Sequence, residues 1–484
     1  MFKKLSRQFV KDPVFYLTFA FIFVLAIFFR FYNYFNRVYI YSDHALFVQA
    51  AKYAFDNHLI PQIGPFAQAP FFTGPWWLWI LEIFYIFPFG LLTPWYLMSL
   101  VSLLFVYLIY QLGNKIGGRR VGFFAALLAA VSTAQVDNSF SVWNAAADPF
   151  LALLAYLLLV RFFETKRAIF AFFLGFVVSM AITIHFQMVL LLPVCFVAVV
   201  TSRPKIGNLA AMALGFFIPL LPFLYFDLRF EWFETRRIYD YVTIAQYRIY
   251  VPNRWLTYAG VYWPQTWASV VGGSKFIGGL LIISLSVLAL LKLKSWKKYQ
   301  NFFLVAGAFA LSVLMFRYYR GERFFYYSHF SHPAVIVLSA WVLAEVYRFK
   351  KVLGLVLLAA VLFFTARQTI DNFKARGITL LQINSLKKEI YAKYPTGKFD
   401  IYGCIYNGAL VSHPLSYSMY FDGRNGMDGV KIGVCQLVDR SITWSEIGEA
   451  DVTGDSSAWL NESTENVYKT MTEWWKIKRP KFYD

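Results

Sequence analysis

The sequence predicts an all-α polytopic membrane protein with about eleven transmembrane helices, followed by a small C-terminal α/β domain. Of its 484 residues, 59% are hydrophobic and only 15% are charged. Soluble domains average roughly 45–50% apolar and about 25% charged residues, so the surplus apolar surface here requires a hydrocarbon solvent. Apolar runs continue to about residue 367, and a polar tail follows them.

Eleven apolar runs are long enough, or nearly long enough, to cross a bilayer core of about 30 Å. They lie at about 14–31, 93–112, 121–137, 149–163, 168–184, 188–201, 209–226, 275–291, 301–316, 330–347 and 352–367. A further apolar stretch, 75–90, is short and contains Pro75 and Pro88 near its ends. We expect it to form an interfacial or re-entrant helix.

Basic residues orient these spans. If 75–90 does not cross, 19 Lys and Arg residues in short connections fall on one side, and the positive-inside rule makes that side cytoplasmic. We therefore expect a multi-pass protein of the cell membrane with a cytoplasmic N-terminus and an extracytoplasmic tail. Most acidic residues of the membrane part then lie outside, where we expect the chemistry. The net charge of +19 does not gather on one solvated face, as nucleic-acid binding requires.

We expect two domains. The transmembrane domain covers residues 1–369 and carries two long external loops, 32–92 and 227–274, while residues 370–484 form the extracytoplasmic α/β domain. The loop 227–274 is rich in Tyr, Trp and Arg, a composition typical of segments that lie among lipid headgroups. The tail alternates helical and β-like patterns.

Cysteine content and the lack of common motifs exclude several functions. Three cysteines are too few for a disulfide scaffold or a multi-cysteine zinc site. Cys404 and Cys435 both fall in the tail, and they can pair if it faces an oxidising compartment. The sequence has no P-loop, no G-x-S-x-G and no H-E-x-x-H, so nucleotide-driven and common hydrolytic chemistries lack support.

Asp43 follows the first span, in a segment where Leu46, Phe47 and Ala50 recur at helical spacing. A helix at the membrane surface would hold this carboxylate at the interface, where it could act as a general base toward a lipid-borne substrate. The alternative is that Ser42 or Asp43 caps the helix N-terminus.

Asn144 and Asp148 belong to a polar patch between two spans, and His185 lies where two short spans meet; all three fall on the outer side. They are candidates for substrate binding. The alternatives are ordinary loop and cap chemistry for the patch, and a hydrogen-bonded structural role for the histidine.

Three arginines, Arg317, Arg320 and Arg323, lie in the outer connection that precedes Tyr326. Guanidinium groups bind phosphate through paired hydrogen bonds, which a membrane enzyme with a lipid-phosphate donor needs at its outer rim. The alternative is an interfacial anchor that contacts bulk lipid headgroups.

Together these segments resemble the GT-C glycosyltransferases that use polyprenyl-phosphate-linked sugars, the group of the protein O-mannosyltransferases and lipid A aminoarabinose transferases. The residues that carry the resemblance are Asp43, Thr73-Gly74-Pro75-Trp76-Trp77-Leu78, Trp143-Asn144 before Asp148-Pro149, His185-Phe186-Gln187, Phe226-Asp227-Leu228-Arg229 with Glu234-Thr235-Arg236, and Phe325-Tyr326-Tyr327 with His332-Pro333. They span nearly the whole membrane part.

The resemblance implies a GT-C fold and transfer of a hexose or pentose from a polyprenyl-phosphate donor to an acceptor hydroxyl on the extracytoplasmic face, with inversion. Asp43 is then the catalytic base. Arg320 and Arg323 bind the donor phosphate. The candidate substrate-binding residues are His44, Trp76, Asn144, Asp148, His185 and Tyr326.

The expected partners are the lipid-linked sugar donor, membrane lipids, and a glycan, lipid or protein acceptor, with no nucleic acid. The residues identify no cofactor. The resemblance leaves a divalent metal ion open, but no residue is assigned as a metal ligand.

Two other functions stay open. A polytopic transporter would carry intramembrane charge at mid-depth, whereas the charges here lie at one rim. A non-catalytic subunit of envelope-glycan assembly is the second alternative. It is favoured by two departures from the family pattern, because His44 replaces a second acid and Phe72-Thr73 replaces a basic residue before the Gly74-Pro75 segment.

Overall fold

The computed structural model describes residues 12–40, 42–65, 72–245, 254–321, 323–373, 378–404, 409–436, 442–448 and 459–472. Each of the eleven predicted spans contains a helix. Their bounds are Pro13–Phe31, Thr93–Gly117, Arg119–Val131, Asp148–Thr165, Ala168–Ile184, Leu192–Ser202, Ile206–Arg229, Lys275–Lys292, Gln300–Tyr318, His332–Phe349 and Lys351–Asp371.

Eight helical segments within the described residues are long and apolar enough to cross a membrane. The helices near 119–131, 168–184 and 186–202 are shorter. The chain is therefore a multi-pass membrane protein, as predicted.

Ion pairs connect the predicted cytoplasmic loops at one end of the helix bundle. Asp12 pairs with Arg119, and Glu164 Oε2 lies 2.8 Å from Lys115 Nζ. Glu345 Oε2 lies 3.2 Å from Lys292 Nζ. These three acids are the ones that the charge pattern assigns to the inner side. Their pairing shows that the connections carrying them share one end of the bundle.

The segments at the opposite end form short helices. They are Tyr34–Arg37, Ser42–Asp56, Trp76–Phe84, Thr133–Asn138, Asn144–Ala147, Phe186–Leu191, Phe233–Thr243, Arg254–Thr257, Tyr258–Tyr262, Trp263–Val270 and Phe325–Ser331. The Trp76–Phe84 helix has 9 residues, about 14 Å at 1.5 Å per residue. It is too short to cross a membrane, in agreement with the re-entrant or interfacial helix predicted there.

The C-terminal unit contains a four-stranded sheet with the order β3-β2-β1-β4. The strands are β1 (Phe399–Cys404), β2 (Val430–Gln436), β3 (Ile442–Glu446) and β4 (Trp459–Asn461), and the helices are Leu380–Lys393, Ala409–Phe421 and Thr464–Thr472. β1 and β2 are parallel. Cys404 and Cys435 form a disulfide between these two strands, as predicted for the tail.

The C-terminal unit packs directly on the helix that carries Asp43. Two of its helices, Ala409–Phe421 and Thr464–Thr472, contact the Ser42–Asp56 helix. Gln49 Nε2 donates to Thr464 Oγ1 at 3.4 Å.

The Ser42–Asp56 helix is therefore packed under the C-terminal unit, and its location at the membrane surface stays a prediction. Small residues such as Ala45 and Ala50 are fully buried and let the neighbouring helices approach closely. The helix is covered because the tail folds back onto it.

Candidate functional site

Asp43 lies in the first turn of the Ser42–Asp56 helix, at the outer end of the bundle. Its side chain keeps access to solvent. The surrounding protein reduces the hydration of the carboxyl, and this partial desolvation raises its pKa above the ordinary value. A carboxylate with a raised pKa is a stronger base, as proton abstraction requires.

The next residue, His44, is buried and connects Asp43 to an aromatic cluster. Its ring lies 5.6 Å from that of Tyr39 and 6.3 Å from that of Trp143. Trp143 packs edge to face on Tyr326 at 4.7 Å. These ring contacts link the helix that carries Asp43 to the Phe325–Ser331 turn, which is distant in sequence.

Asp148 and His185 form a buried pair on the other side of Tyr326. The Nδ1 atom of His185 lies 2.5 Å from Oδ2 of Asp148, and the His185 ring lies 5.9 Å from the ring of Tyr326. Sequence analysis treated Asp148 and His185 as separate candidates; the structure makes them one unit. The carboxylate orients the imidazole through this hydrogen bond.

Asn144 and Gly74 fix the backbone around His185. Asn144 Nδ2 donates to the carbonyl of Ile184 at 2.9 Å, and the N–H of Gly74 donates to the carbonyl of Thr183 at 2.7 Å. A Cβ atom at position 74 would lie 2.8 Å from Thr183 Cβ, so only glycine permits this approach. Asn144 thus positions the histidine through the backbone.

Trp76 points away from this cluster. Its Nε1 donates to the carbonyl of Pro219 at 2.8 Å, and its ring packs edge to face on Trp79 and Phe176. The structure therefore brings His44, Asp148, His185 and Tyr326 together, but it gives Trp76 a packing contact between helices.

Arg323 is half-buried in an aromatic cage. Its guanidinium carbon lies 4.7 Å from the Tyr258 ring centroid and 5.9 Å from that of Tyr262. Both tyrosines belong to a π-helical turn, Tyr258–Tyr262, and their rings stack at 5.5 Å. Nη2 of Arg323 donates to the carbonyl of Tyr319 at 3.1 Å.

The cage is linked to the Asp148–His185 pair through Tyr327. Its ring lies 5.8 Å from the ring of Tyr319 and 5.9 Å from the ring of His185. Arg317 lies over the Trp255 ring at 4.3 Å, whereas Arg320 is exposed. Arg323 is thus linked through Tyr319 and Tyr327 to the cluster that contains the buried acid.

Sequence analysis missed Tyr258 and Tyr262 as walls of the site. Their segment was assigned to the lipid headgroups from its Tyr, Trp and Arg content, and that same composition, on the outer side, was the signal that could have identified a cage. Sequence analysis named Glu234 within the resemblance but gave it no role; its Oε2 accepts the backbone N–H of Phe72 at 2.9 Å. Burial raises the pKa of Glu234 to about 8.

Several buried polar atoms in this region have no hydrogen-bond partner among the described residues. They include Trp143 Nε1, Asp148 Oδ1, Arg317 Nε and Arg323 Nε. Buried polar groups in folded proteins nearly always have partners. A ligand with hydroxyl groups and a phosphate would provide partners for these donors and this acceptor.

Within the described parts of the chain, no three His, Cys, Asp or Glu side chains gather as ligands for one ion. The Asp148–His185 pair supplies two such groups, fewer than the three protein ligands of a typical catalytic zinc site. No step of the reaction proposed below is assigned to a metal.

Comparison with known proteins gives matches only at the level of structure. No protein-family model and no curated protein matches the chain. The oligosaccharyltransferase AglB from Archaeoglobus fulgidus, solved with an inhibitory peptide and a dolichol-phosphate, matches with a TM-score of 0.53 at 11% identity over 96% of this chain and 78% of that one. ArnT from Cupriavidus metallidurans, bound to undecaprenyl phosphate, matches with a TM-score of 0.57 at 11% identity over 88% of this chain and 93% of that one.

At such low identity the likeness establishes the fold alone. The two matches cover 96% and 88% of this chain. The chain therefore has the GT-C fold, as its sequence predicted.

Proposed function

We propose that the chain is an integral membrane glycosyltransferase that moves a hexose or pentose from a polyprenyl-phosphate donor to an acceptor hydroxyl. The unpartnered polar atoms around Trp143, Asp148 and Arg323 carry this proposal, because together they match a sugar attached to a phosphate. The fold supports the donor class, since the AglB and ArnT structures hold dolichol-phosphate and undecaprenyl phosphate.

Asp43 is the proposed general base. It takes the proton of the acceptor hydroxyl while the hydroxyl oxygen attacks the anomeric carbon of the donor sugar. The bond between that carbon and the phosphate oxygen breaks, and the electron pair stays on the polyprenyl phosphate. One direct displacement inverts the configuration at the anomeric carbon.

Arg323 and Arg320 are the proposed binders of the donor phosphate. The aromatic cage holds the Arg323 guanidinium in place before the substrate arrives, so little reorganisation accompanies the growth of negative charge on the leaving group. Exposed Arg320 can reach a phosphate at the rim of the site.

The Asp148–His185 pair is the proposed binder of the sugar hydroxyls. Asp148 Oδ1 has no hydrogen-bond partner among the described residues and can accept a hydrogen bond from a sugar hydroxyl. Tyr326 and Trp143 supply aromatic faces beside it, and His44 supports Trp143 from behind.

We further propose that this site faces the extracytoplasmic side and that the domain boundary lies near residue 370. The basic connections at the opposite end of the bundle support this orientation, since positive loops stay in the cytoplasm. The acceptor is then a molecule of the cell envelope.

The test is a transfer assay with the full-length protein in lipid nanodiscs. Radiolabelled polyprenyl-phosphate hexoses and pentoses are supplied one at a time together with an envelope extract, and labelled product is separated from donor. We expect product with at least one donor and none from the Asp43→Asn variant. Uptake of labelled lipid into proteoliposomes without product would instead identify a transporter.

A further inference from the structure

A second cavity lies where the C-terminal unit meets the Ser42–Asp56 helix. Its volume is about 260 Å³, and its lining includes Tyr53, Tyr420, Lys398, Asp428 and Glu465. Tyr53 comes from the membrane part and the other four come from the C-terminal unit. Neither part encloses the cavity alone.

Aromatic rings form one wall of this cavity. The Tyr53 ring lies 6.3 Å from the ring of Tyr420 and 5.1 Å from the ring of Tyr468. Tyrosine rings present an apolar face that can cover the C–H face of a sugar, and their hydroxyls can hydrogen-bond at the edge.

Charged groups of both signs form the opposite wall. Lys398 Nζ lies 3.5 Å from Asp428 Oδ2, and these side chains are 53% and 73% exposed. Glu465 pairs with Lys469 at 2.5 Å. The carboxylates can accept hydrogen bonds from sugar hydroxyls, and the ammonium group can donate hydrogen bonds to hydroxyl oxygens.

Buried hydrogen bonds hold the backbone beside the cavity. Asn425 is buried and accepts the backbone N–H of Thr464 at 2.9 Å, while its Nδ2 donates to the carbonyl of Phe399 at 3.1 Å. These bonds connect the lining residue Asn425 to β1 and to the Thr464–Thr472 helix.

The charge balance selects the class of ligand. The charged lining residues are one lysine, Lys398, and two carboxylates, Asp428 and Glu465, so the cavity offers no positive field for a phosphate headgroup. Aromatic faces next to paired acceptors and donors match a neutral polyhydroxylated molecule. The volume is just below the 300–1,000 Å³ range typical of small-molecule sites, which fits one sugar unit.

We propose that this cavity binds a neutral sugar unit of the acceptor glycan, remote from the hydroxyl that reacts. The proposal rests on the proposed glycosyltransferase function and names its acceptor class. Tyr53 lies ten residues beyond Asp43 on one helix, which places it about 15 Å along the helix axis from the base.

The test measures binding apart from catalysis. The full-length protein in nanodiscs is titrated with neutral di- and trisaccharides of glucose, galactose and mannose, with saturation-transfer NMR as the readout. We expect at least one to bind. The double variant Asp428→Asn/Glu465→Gln should weaken that binding roughly tenfold or more, since charge-assisted hydrogen bonds are lost.

Glu389→Gln is the matched control, because Glu389 is an exposed carboxylate of the same C-terminal unit outside the cavity. It should leave binding unchanged. Asp43→Asn should also leave binding unchanged while it abolishes transfer, so failure of the cavity and failure of the proposed reaction give different results.

Two outcomes would overturn the proposal. One is that no neutral oligosaccharide binds. The other is that the double variant and the Glu389→Gln control bind equally well.

Discussion

Replacement of Arg323 by alanine removes the guanidinium from its aromatic cage and leaves the cage residues in place. In the native protein, Nε of Arg323 has no hydrogen-bond partner among the described residues. Its Nη2 donates to the Tyr319 carbonyl, and its guanidinium lies over the Tyr258 ring. Hydrogen bonds to charged groups contribute about 1.5–3 kcal/mol. Loss of one such bond to phosphate weakens donor binding about 10- to 150-fold, at 1.4 kcal/mol per factor of ten.

The assay is equilibrium binding of radiolabelled undecaprenyl phosphate to the protein in detergent, with the same preparation checked for folding by its thermal transition. Arg229→Ala is the matched control, because Arg229 is an exposed arginine at the outer end of the bundle and lies over Phe230 outside the cage. We expect Arg229→Ala to bind within about twofold of the wild type. Equal loss in both variants would mean that general surface charge, and not the cage, attracts the lipid.

Three further predictions concern topology, the disulfide and pH. A reporter fused after residue 370 should be extracytoplasmic and one fused near residue 296 cytoplasmic; the same side for both would refute the orientation. Reduction of Cys404–Cys435 should lower the unfolding free energy of the C-terminal unit by about 3 kcal/mol, measured by denaturant titration with and without reductant; an unchanged midpoint would contradict this. Burial raises the pKa of Glu462 to about 8, whereas an unfolded glutamate ionises near 4.3. Stability should therefore fall as pH rises between these values, and Glu462→Gln should raise the melting temperature at pH 8 but not near pH 4; a uniform shift at all pH values would point to packing instead.

The membrane part was predictable because span length and hydrophobicity are local properties. A helix must supply enough apolar residues to cross about 30 Å, and each of the eleven runs does so or nearly does so. The inner position of Asp12, Glu164 and Glu345 followed from the charge pattern, and the structure pairs each of them with a basic residue at one end of the bundle.

The fold of the tail onto the Asp43 helix was not predictable from local patterns. The covering helix Ala409–Phe421 contains Pro414 in its interior, and proline normally argues against a helix at such a position. Without that helix, the apolar face of residues 42–56 had only the membrane surface as an expected partner.

The residues of the candidate site could be predicted from the sequence, but the contacts between them could not. Asp43, Asp148, His185 and Arg323 were each identified from residue type and outer position. Their links through Trp143 and Tyr326 join segments more than a hundred residues apart, and such pairing depends on how the helices pack. Trp76, chosen for its motif, faces Pro219 because the helix that carries it turns that side chain toward the bundle.

The central claim is that Asp43 accepts a proton during sugar transfer. Asp43→Asn keeps nearly the same shape, and Asn caps a helix about as well as Asp, so a structural role predicts little change. A general base predicts a rate loss of about 10²–10⁴. The decisive measurement is single-turnover transfer from a bound polyprenyl-phosphate sugar by Asp43→Asn, with donor binding measured in the same preparation. The account predicts near-normal donor binding and transfer slowed by at least about a hundredfold; near wild-type transfer in a folded variant would contradict it and make Asp148 the next carboxylate to test.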